Sequence, residues 1–309
     1  MSFEHFCTLF DSNFLPQGLA LQQSLQRHCP QSILWILCMD EAVEKQLEAL
    51  ALPNVRLLSL KKVENAELLR VKPGRSRGEY CWTLTPFLPS FVFTQDPEVT
   101  RVTYVDADLF FFSPPGSFFA ELVEAKKSVL ITEHAYDPRY EQSATSGRFC
   151  VQFVTFLRNP AAQAVLQWWQ TRCIEWCFAR HEDGKFGDQK YLDQWPTLFG
   201  EVVHILQQKE KTQAPWNAEF YSDHAPVFFH FHGLRIVETN KIRLFLGYQI
   251  RKALPLYNSY VDALRSNIRR MKEKHILLPT LPESPQSWQA LRDWKRMLTN
   301  TTGFAEVGE

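Results

Sequence analysis

Residues 5–60 set three short apolar runs between two helical patterns, and this alternation restricts the fold more than any other feature of the chain. The runs are "HFCTLFD" (His5 to Asp11), "SILWILCMD" (Ser32 to Asp40) and "VRLLSL" (Val55 to Leu60). Continuous rather than alternating apolarity predicts strands covered on both faces. Between them, "LPQGLALQQSLQRHC" places Leu19, Leu21 and Leu25 at helical spacing, and "EAVEKQLEALAL" is amphipathic. Strand, helix, strand, helix, strand is the pattern of an α/β sheet with parallel strands.

Further along, "RVKPGRSRGEY" (Arg70 to Tyr80) reads as a basic loop, followed by a helix around "YCWTLTPFLPSFVF". "VTRVTYVDADLFFF" (Val99 to Phe112) is a buried strand ending near Asp106, and "SPPGS" is a turn. Strands are expected at "KKSVLITEH", "FCVQFVTFLRN", "VVHILQ" and "VFFHFHG". "AAQAVLQWWQTRCIEWCFAR" (Ala161 to Arg180) is the longest helical pattern, and "HEDGKFGDQKYLDQWP" is a polar loop entering a short helix. From about Val261 the chain reads as helical, then is broken by "LPTLPESPQS". No repeat or long linker interrupts it. The expected organisation is one α/β domain, residues 1–255, with a helical extension, residues 256–309, packed on it.

The balance of 34 Lys+Arg against 34 Asp+Glu argues against a general nucleic-acid binder. The seven cysteines are scattered without a CxxC pair, as in a reduced cytoplasmic protein. Cys173 and Cys177, four apart on the expected helix, read as buried thiols. "MSFEHFCTLFDSN" lacks the basic and apolar regions of a signal peptide, and no segment is long and apolar enough to span a bilayer.

Four constellations could carry chemistry. Asp106 and Asp108 alternate at the carboxyl end of a strand, where open α/β sheets bind ligands. In extended geometry both side chains point the same way. Two such carboxylates repel unless a cation lies near, and a divalent ion could then hold a diphosphate. The bland alternative is a pair of solvated aspartates before a Pro-Pro turn. His230 and His232 alternate in "HFHG", and imidazole beside oxygen ligands suits Mn; a core and a surface histidine is the competing reading. In "EDGKFGDQKYLDQWP", Gly184 and Gly187 permit close backbone approach, and Asp188 and Gln189 suit sugar hydroxyls, although Asp188 could equally cap a helix. Lys72, Arg75 and Arg77 could bind phosphate or form a solvated loop.

Taken in order, these segments resemble nucleotide-sugar glycosyltransferases of the GT-A fold, family 8 and its bacterial lipopolysaccharide and surface-polysaccharide relatives, over about Phe6 to Gly233. "FCTLFDSNFLPQGLALQQSL" is similar to the opening strand whose following Asp, here Asp11, holds the nucleobase, with Thr8 and Phe10 beside it. "TYVDADLFFF" resembles the metal-binding Asp-x-Asp strand, here Asp106, Ala107 and Asp108. "FGDQKYLDQWP" resembles the segment facing the sugars, carried by Asp188 and Gln189. "HFHG" is similar to a His-x-x-Gly metal motif and places the ligand at His230 rather than His232, with His232 and Gly233 near the diphosphate, as Arg77 would be. "APWN" (Ala214 to Asn217) is similar to another segment of these relatives. Two departures stand out. Cys150 and Gln152 occupy the usual Asn-x-Gly positions. "HGLRIVETNKIR" replaces a Lys-Pro-Trp, leaving Arg235 or Lys241 to supply positive charge.

The resemblance implies a mixed, mostly parallel Rossmann-like sheet flanked by helices. It also implies a Mn2+ or Mg2+ cofactor, a UDP-sugar donor, a glycan or glycolipid acceptor and a retaining hexosyltransferase. A nucleotide-sugar-binding module without activity, or a sugar nucleotidyltransferase, is the competing class. "FDSNFLPQG" after the first strand has no Lys or Arg, which counts against the latter. Trp168, Trp169, Trp195 and Trp216 could stack on sugar rings or fill the core. Arg265, Arg269, Arg270 and Lys272 could lie against the cytoplasmic face of an anionic membrane or form a solvated helix face.

Overall fold

The computed structural model describes residues 3–238, 241–278 and 302–307. The expected strands form: β1 (Glu4–Phe10), β2 (Ser32–Cys38), β3 (Val55–Ser59) and β4 (Arg101–Val105). They are followed by β5 (Leu109–Phe111), β6 (Val129–Glu133), β7 (Phe149–Leu157) and β8 (Val203–Ile205). Seven of these make one sheet of order β3-β2-β1-β4-β7-β6-β8. β1, β2, β3 and β4 pair in parallel, β7 runs antiparallel between β4 and β6, and β8 is parallel to β6. The sheet grows outward from β1 on one side and from β4 on the other. The gap between their carboxyl ends is the switch point at which such sheets bind ligands.

Both sheet faces are covered, as the unbroken apolar runs require. Along β1, Cys7 and Leu9 face a core shared with Trp35, Tyr104 and Trp169, while Phe6 and Phe10 face one built from Ile36, Val105, Phe118 and Phe153. The helix Leu15–His28 lies on the second face. Gly18 sits so close to Phe10 that a Cβ there would lie 2.3 Å from the ring.

A second sheet stands beside the first. β5 pairs antiparallel with β10 (Phe228–His230), which in turn runs parallel to β9 (Thr212–Gln213). A hairpin unannounced in the sequence follows, β11 (Arg235–Glu238) and β12 (Lys241–Leu246), and β13 (Thr302–Glu306) pairs with β12. Among its described residues the C-terminal extension is therefore helical with one strand added. Its helix spans Leu254–Glu273, with Pro255 in the first turn. Tyr257, Tyr260, Val261, Leu264, Ile268 and Met271 form its buried stripe. Tyr260 stacks on Phe231 at 3.9 Å.

Some local expectations change. The "RVKPGRSRGEY" segment is largely helical rather than a loop. Asn65 caps a helix over Ala66–Val71, and a Ser76/Glu79 capping box starts the helix Arg77–Leu84. The helix Pro160–Glu175 ends before Cys177, and at 16 residues it is shorter than the 20-residue helix Leu254–Glu273. Cys173 and Cys177 thus do not share a helix, yet both are fully buried thiols. That helix also begins seven residues before the expected Val261. Apart from Leu278, the "LPTLPESPQS" break lies outside the described residues.

Replacing Gly18 by Ala should displace the Phe10 ring. Overpacking of this kind costs about 1–3 kcal/mol, against roughly 1 kcal/mol gained in helix propensity. A net fall in the urea midpoint is expected; an unchanged or raised midpoint would show that Phe10 is not held as described.

Candidate active site

The carboxyl ends of β1 and β4 open into a cleft of about 680 Å³ lined by 27 residues. At its centre stand Asp106, Asp108 and His230, whose ligand atoms all lie within 4.8 Å of one another. Asp106 and Asp108 are not extended, as the sequence reading assumed. They occupy a turn between β4 and β5, in which the Leu109 N–H donates to the Asp106 carbonyl at 3.1 Å. The turn is clamped from both sides: the Asp106 N–H donates to the Gln152 carbonyl at 3.1 Å, and the Phe231 N–H to the Asp108 carbonyl at 2.9 Å. The carboxylates converge because the backbone turns, not because a strand alternates.

His230, at the end of β10, brings its Nε2 to 3.1 Å from Asp108 Oδ1 and 3.7 Å from Asp106 Oδ2. Its Nδ1 lies 2.9 Å from Gln152 Oε1. The Tyr104 hydroxyl donates to Asp106 Oδ1 at 3.0 Å. Burial pushes the Asp106 carboxyl up to about 6 against the pull of the His230 charge. Burial would raise Asp108 too, but the charge and hydrogen bond of His230 hold it well below the usual carboxylate range. Burial alone would lower His230; its bond to Asp108 raises it well above the ordinary histidine value. In the metal-free protein the imidazolium thus supplies the positive charge that two adjacent carboxylates require.

The other sequence candidates fall around this cluster. Asp11 follows β1 and caps the short turn Ser12–Phe14. Arg77, at the start of its helix, reaches Asp11 at 2.9 Å and Asp40 at 3.1 Å. Phe10, Ala107, Asp188, Gln189, His232 and Arg235 also line the cleft. Thr8 is fully buried within β1, Gly233 takes a left-handed turn conformation (φ 80°), and neither lines it. His232 lies in the turn beyond β10 rather than on an extended segment, its ring 5.5 Å from that of His230. Desolvation and the charge of His230 bring it down to about 4. Of the basic candidates, Lys72 is paired with Glu64, and Arg75 donates to Thr83 and to the Ile174 carbonyl, so Arg77 alone of the three faces the cleft. Lys241 is not among the lining residues.

Asp188 does not cap a helix. Its carbonyl accepts from the buried Trp169 indole at 2.9 Å, and Gln189 makes no side-chain cap. Burial and the Asp106 charge push the Asp188 carboxyl up to about 8. The Gln189 amide donates to the Ser146 carbonyl at 2.7 Å, which leaves its side-chain oxygen for a ligand. Gly187 is required by its backbone (φ 54°) and by contact with the Trp82 ring. Trp169 and Trp195 are fully buried core residues, whereas Trp216 lines the cleft. The "APWN" segment explains the placement of Trp216. Its indole N–H and the Asn217 amide both donate to the His134 carbonyl, and Asn217 Oδ1 accepts from the Ala214 N–H. His134, Tyr136, Tyr248 and Tyr104 line the cleft without having been singled out in the sequence. They come from three separate segments whose residue types carry no distinctive spacing.

The donor set fits a divalent cation. Two carboxylate oxygens and an imidazole nitrogen converge, and the bond from Nδ1 to Gln152 leaves Nε2 facing the carboxylates, as second-sphere partners do in metal sites.

A carboxyl raised to about 8 holds a proton when folded that it loses when unfolded above its ordinary value of 3.8. Stability should therefore fall as pH rises from about 4 to 8. In EDTA, the urea-derived stability of wild type relative to Asp188→Asn should decline across that window by a few kcal/mol. A difference flat with pH would contradict the raised value.

No family model matches the chain. Two uncharacterized proteins of Bacillus subtilis (strain 168) do. YfnF is 34% identical over 287 residues, covering 86% of this chain and 93% of YfnF. YfnD is 31% identical over 284 residues, covering 87% and 90%. Among solved structures, the glycosyltransferase GlyE of Streptococcus pneumoniae TIGR4 aligns with a TM-score of 0.55 at 14% identity, covering 93% of this chain and 66% of that one. The galactosyltransferase LgtC with donor and acceptor sugar analogs aligns with a TM-score of 0.53 at 12% identity, covering 93% and 99%. Mouse xyloside xylosyltransferase 1 aligns with a TM-score of 0.50 at 14% identity, covering 74% and 98%. The fold is GT-A, and by its sequence the chain belongs to the family of YfnF and YfnD.

Proposed function

We propose that the chain is a metal-dependent hexosyltransferase that moves a sugar, with retention, from a UDP-sugar to a hydroxyl of a glycan or glycolipid. The observation that carries this reading is the convergence of Asp106, Asp108 and His230 at the switch point of a GT-A sheet. Asp106, Asp108 and His230 would hold Mn2+ or Mg2+. When bound, such a cation supplies neutralising charge to a departing diphosphate.

The chain's own groups divide the remaining work. Asp11 and Phe14 offer a carboxylate and an aromatic ring to the nucleobase end, with Phe10 packed beneath them. Arg235, whose guanidinium lies over Phe14 at 4.8 Å, and Arg77 supply fixed positive charge for phosphate oxygens. Gln189 presents a carbonyl oxygen to the reacting sugar, a partial negative charge that favours an oxocarbenium-like centre. Asp188, protonated near neutral pH, can donate to a sugar hydroxyl while staying uncharged beside Asp106. The acceptor would lie against the half-buried Tyr136 and Tyr248, backed by the buried Trp216. No described helix is long and apolar enough to cross a membrane. A lipid-linked acceptor would be met at a surface, and Arg269 and Lys272 on the helix Leu254–Glu273 are exposed. Arg265 and Arg270 are instead engaged, Arg265 with Asp262 and the Glu306 carbonyl and Arg270 with the Leu50 carbonyl.

Loss of a residue behind a metal ligand costs roughly 10–100-fold in affinity, and loss of a ligand at least as much. Calorimetry should show UDP binding in Mn2+ that is abolished by EDTA and weakened roughly 100-fold in Asp108→Asn. UDP-sugar hydrolysis should be lost in the same variant, with the circular-dichroism spectrum retained. Unchanged UDP binding and hydrolysis in Asp108→Asn would overturn the assignment.

A further inference from the structure

Gln152 stands where the resemblance leads one to expect a glycine. It lies in the middle of β7, fully buried, outside the cleft, and touches two of the three cluster residues at once. Its backbone carbonyl accepts from the Asp106 N–H at 3.1 Å, and its side-chain oxygen lies 2.9 Å from His230 Nδ1. Its amide nitrogen is buried with no hydrogen-bond partner. A buried unsatisfied polar group costs about 1–3 kcal/mol, so the amide nitrogen adds nothing to the core and the side chain's one hydrogen bond is the one to His230.

We infer that Gln152 is a positioning residue that fixes the tautomer and orientation of His230, so that Nε2 presents a lone pair between Asp106 and Asp108. The physical reason is the acceptor character of the amide oxygen. It binds only a protonated Nδ1, and a neutral imidazole with its proton on Nδ1 has its lone pair on Nε2. With no acceptor behind it, the ring can place its proton on Nε2, facing the carboxylates, and exclude a cation. The inference rests on the metal-site reading above and assigns to Gln152 a role in cation affinity separate from any role in folding.

The two roles separate by substitution. Gln152→Met keeps the shape and removes the acceptor; Gln152→Glu keeps an acceptor and, when ionised, has no donor. Mn2+ affinity is read by electron paramagnetic resonance of free Mn2+, and stability by thermal unfolding in EDTA. Gln152→Met should bind Mn2+ roughly 10–100-fold more weakly than wild type, with a melting temperature in EDTA that shifts little, because removal of the orphaned amide nitrogen offsets the lost bond to His230 Nδ1. Gln152→Glu should bind Mn2+ at least as tightly as wild type. Wild-type Mn2+ affinity in Gln152→Met, or a loss of affinity in Gln152→Glu beyond tenfold, would overturn the inference. A Gln152→Met protein that loses stability in EDTA in proportion to its Mn2+ affinity would show a merely structural role. Should wild type itself bind no Mn2+, the metal-site reading fails first and the inference with it.

Discussion

Placing two carboxylates side by side in a partly desolvated turn is the constraint around which the rest of the molecule is arranged. Asp106 and Asp108 cannot both be ionised there without positive charge close by. His230 supplies it in the metal-free protein, at 3.1 Å from Asp108 and 3.7 Å from Asp106. The same three groups form a donor set for a divalent cation. On the proposed reading one geometry serves both the free protein and a bound cation, and the imidazole is the part shared by both.

Holding that geometry takes three segments far apart in the chain. β4 delivers the turn, β7 grips it through the Gln152 carbonyl, and the segment after β10 grips it through the Phe231 amide. Phe228 and Phe229 of β10 are fully buried, and β5 pairs with β10 along its length, so the turn and His230 are carried on adjoining strands of one small sheet. The phenylalanines flanking the Asp-x-Asp segment are anchors: Phe111 lies edge-on to Phe228 and Phe6, and Phe110 edge-on to Tyr260. Through Phe110 and Phe231, the C-terminal helix is coupled to the floor of the cleft.

What the sequence shows and what it hides follow from range. The apolar runs of β1 to β4 reveal themselves because strands covered on both faces leave no polar alternate. Asp11, Asp106, Asp108, Asp188 and His230 stand out in the sequence because few residue types could do the proposed chemistry and because they come in a recognisable order, and all five line the cleft. Local capping is legible in the sequence too: Ser76 with Glu79 is a capping box, and it turns the expected basic loop into the helix that aims Arg77 at the cleft. The convergence of the two aspartates was foreseen for the wrong reason, since a turn bond and two clamps from distant strands replace strand alternation. His134, Tyr136 and Tyr248 could not be found, because they meet Trp216 only through the packing of separate loops. Gln152 was visible as a departure from the family pattern, but its use depends on where His230 arrives, 78 residues later.

The most direct test of the account is anomalous diffraction at the manganese edge from crystals grown with Mn2+ and UDP. A single strong peak is expected within coordination distance of Asp106, Asp108 and His230 Nε2, with His230 Nδ1 still bonded to Gln152 and the diphosphate on the open side of the ion. No peak at these three residues, or a nucleotide bound in the cleft with His230 Nε2 still paired to Asp108, would contradict it.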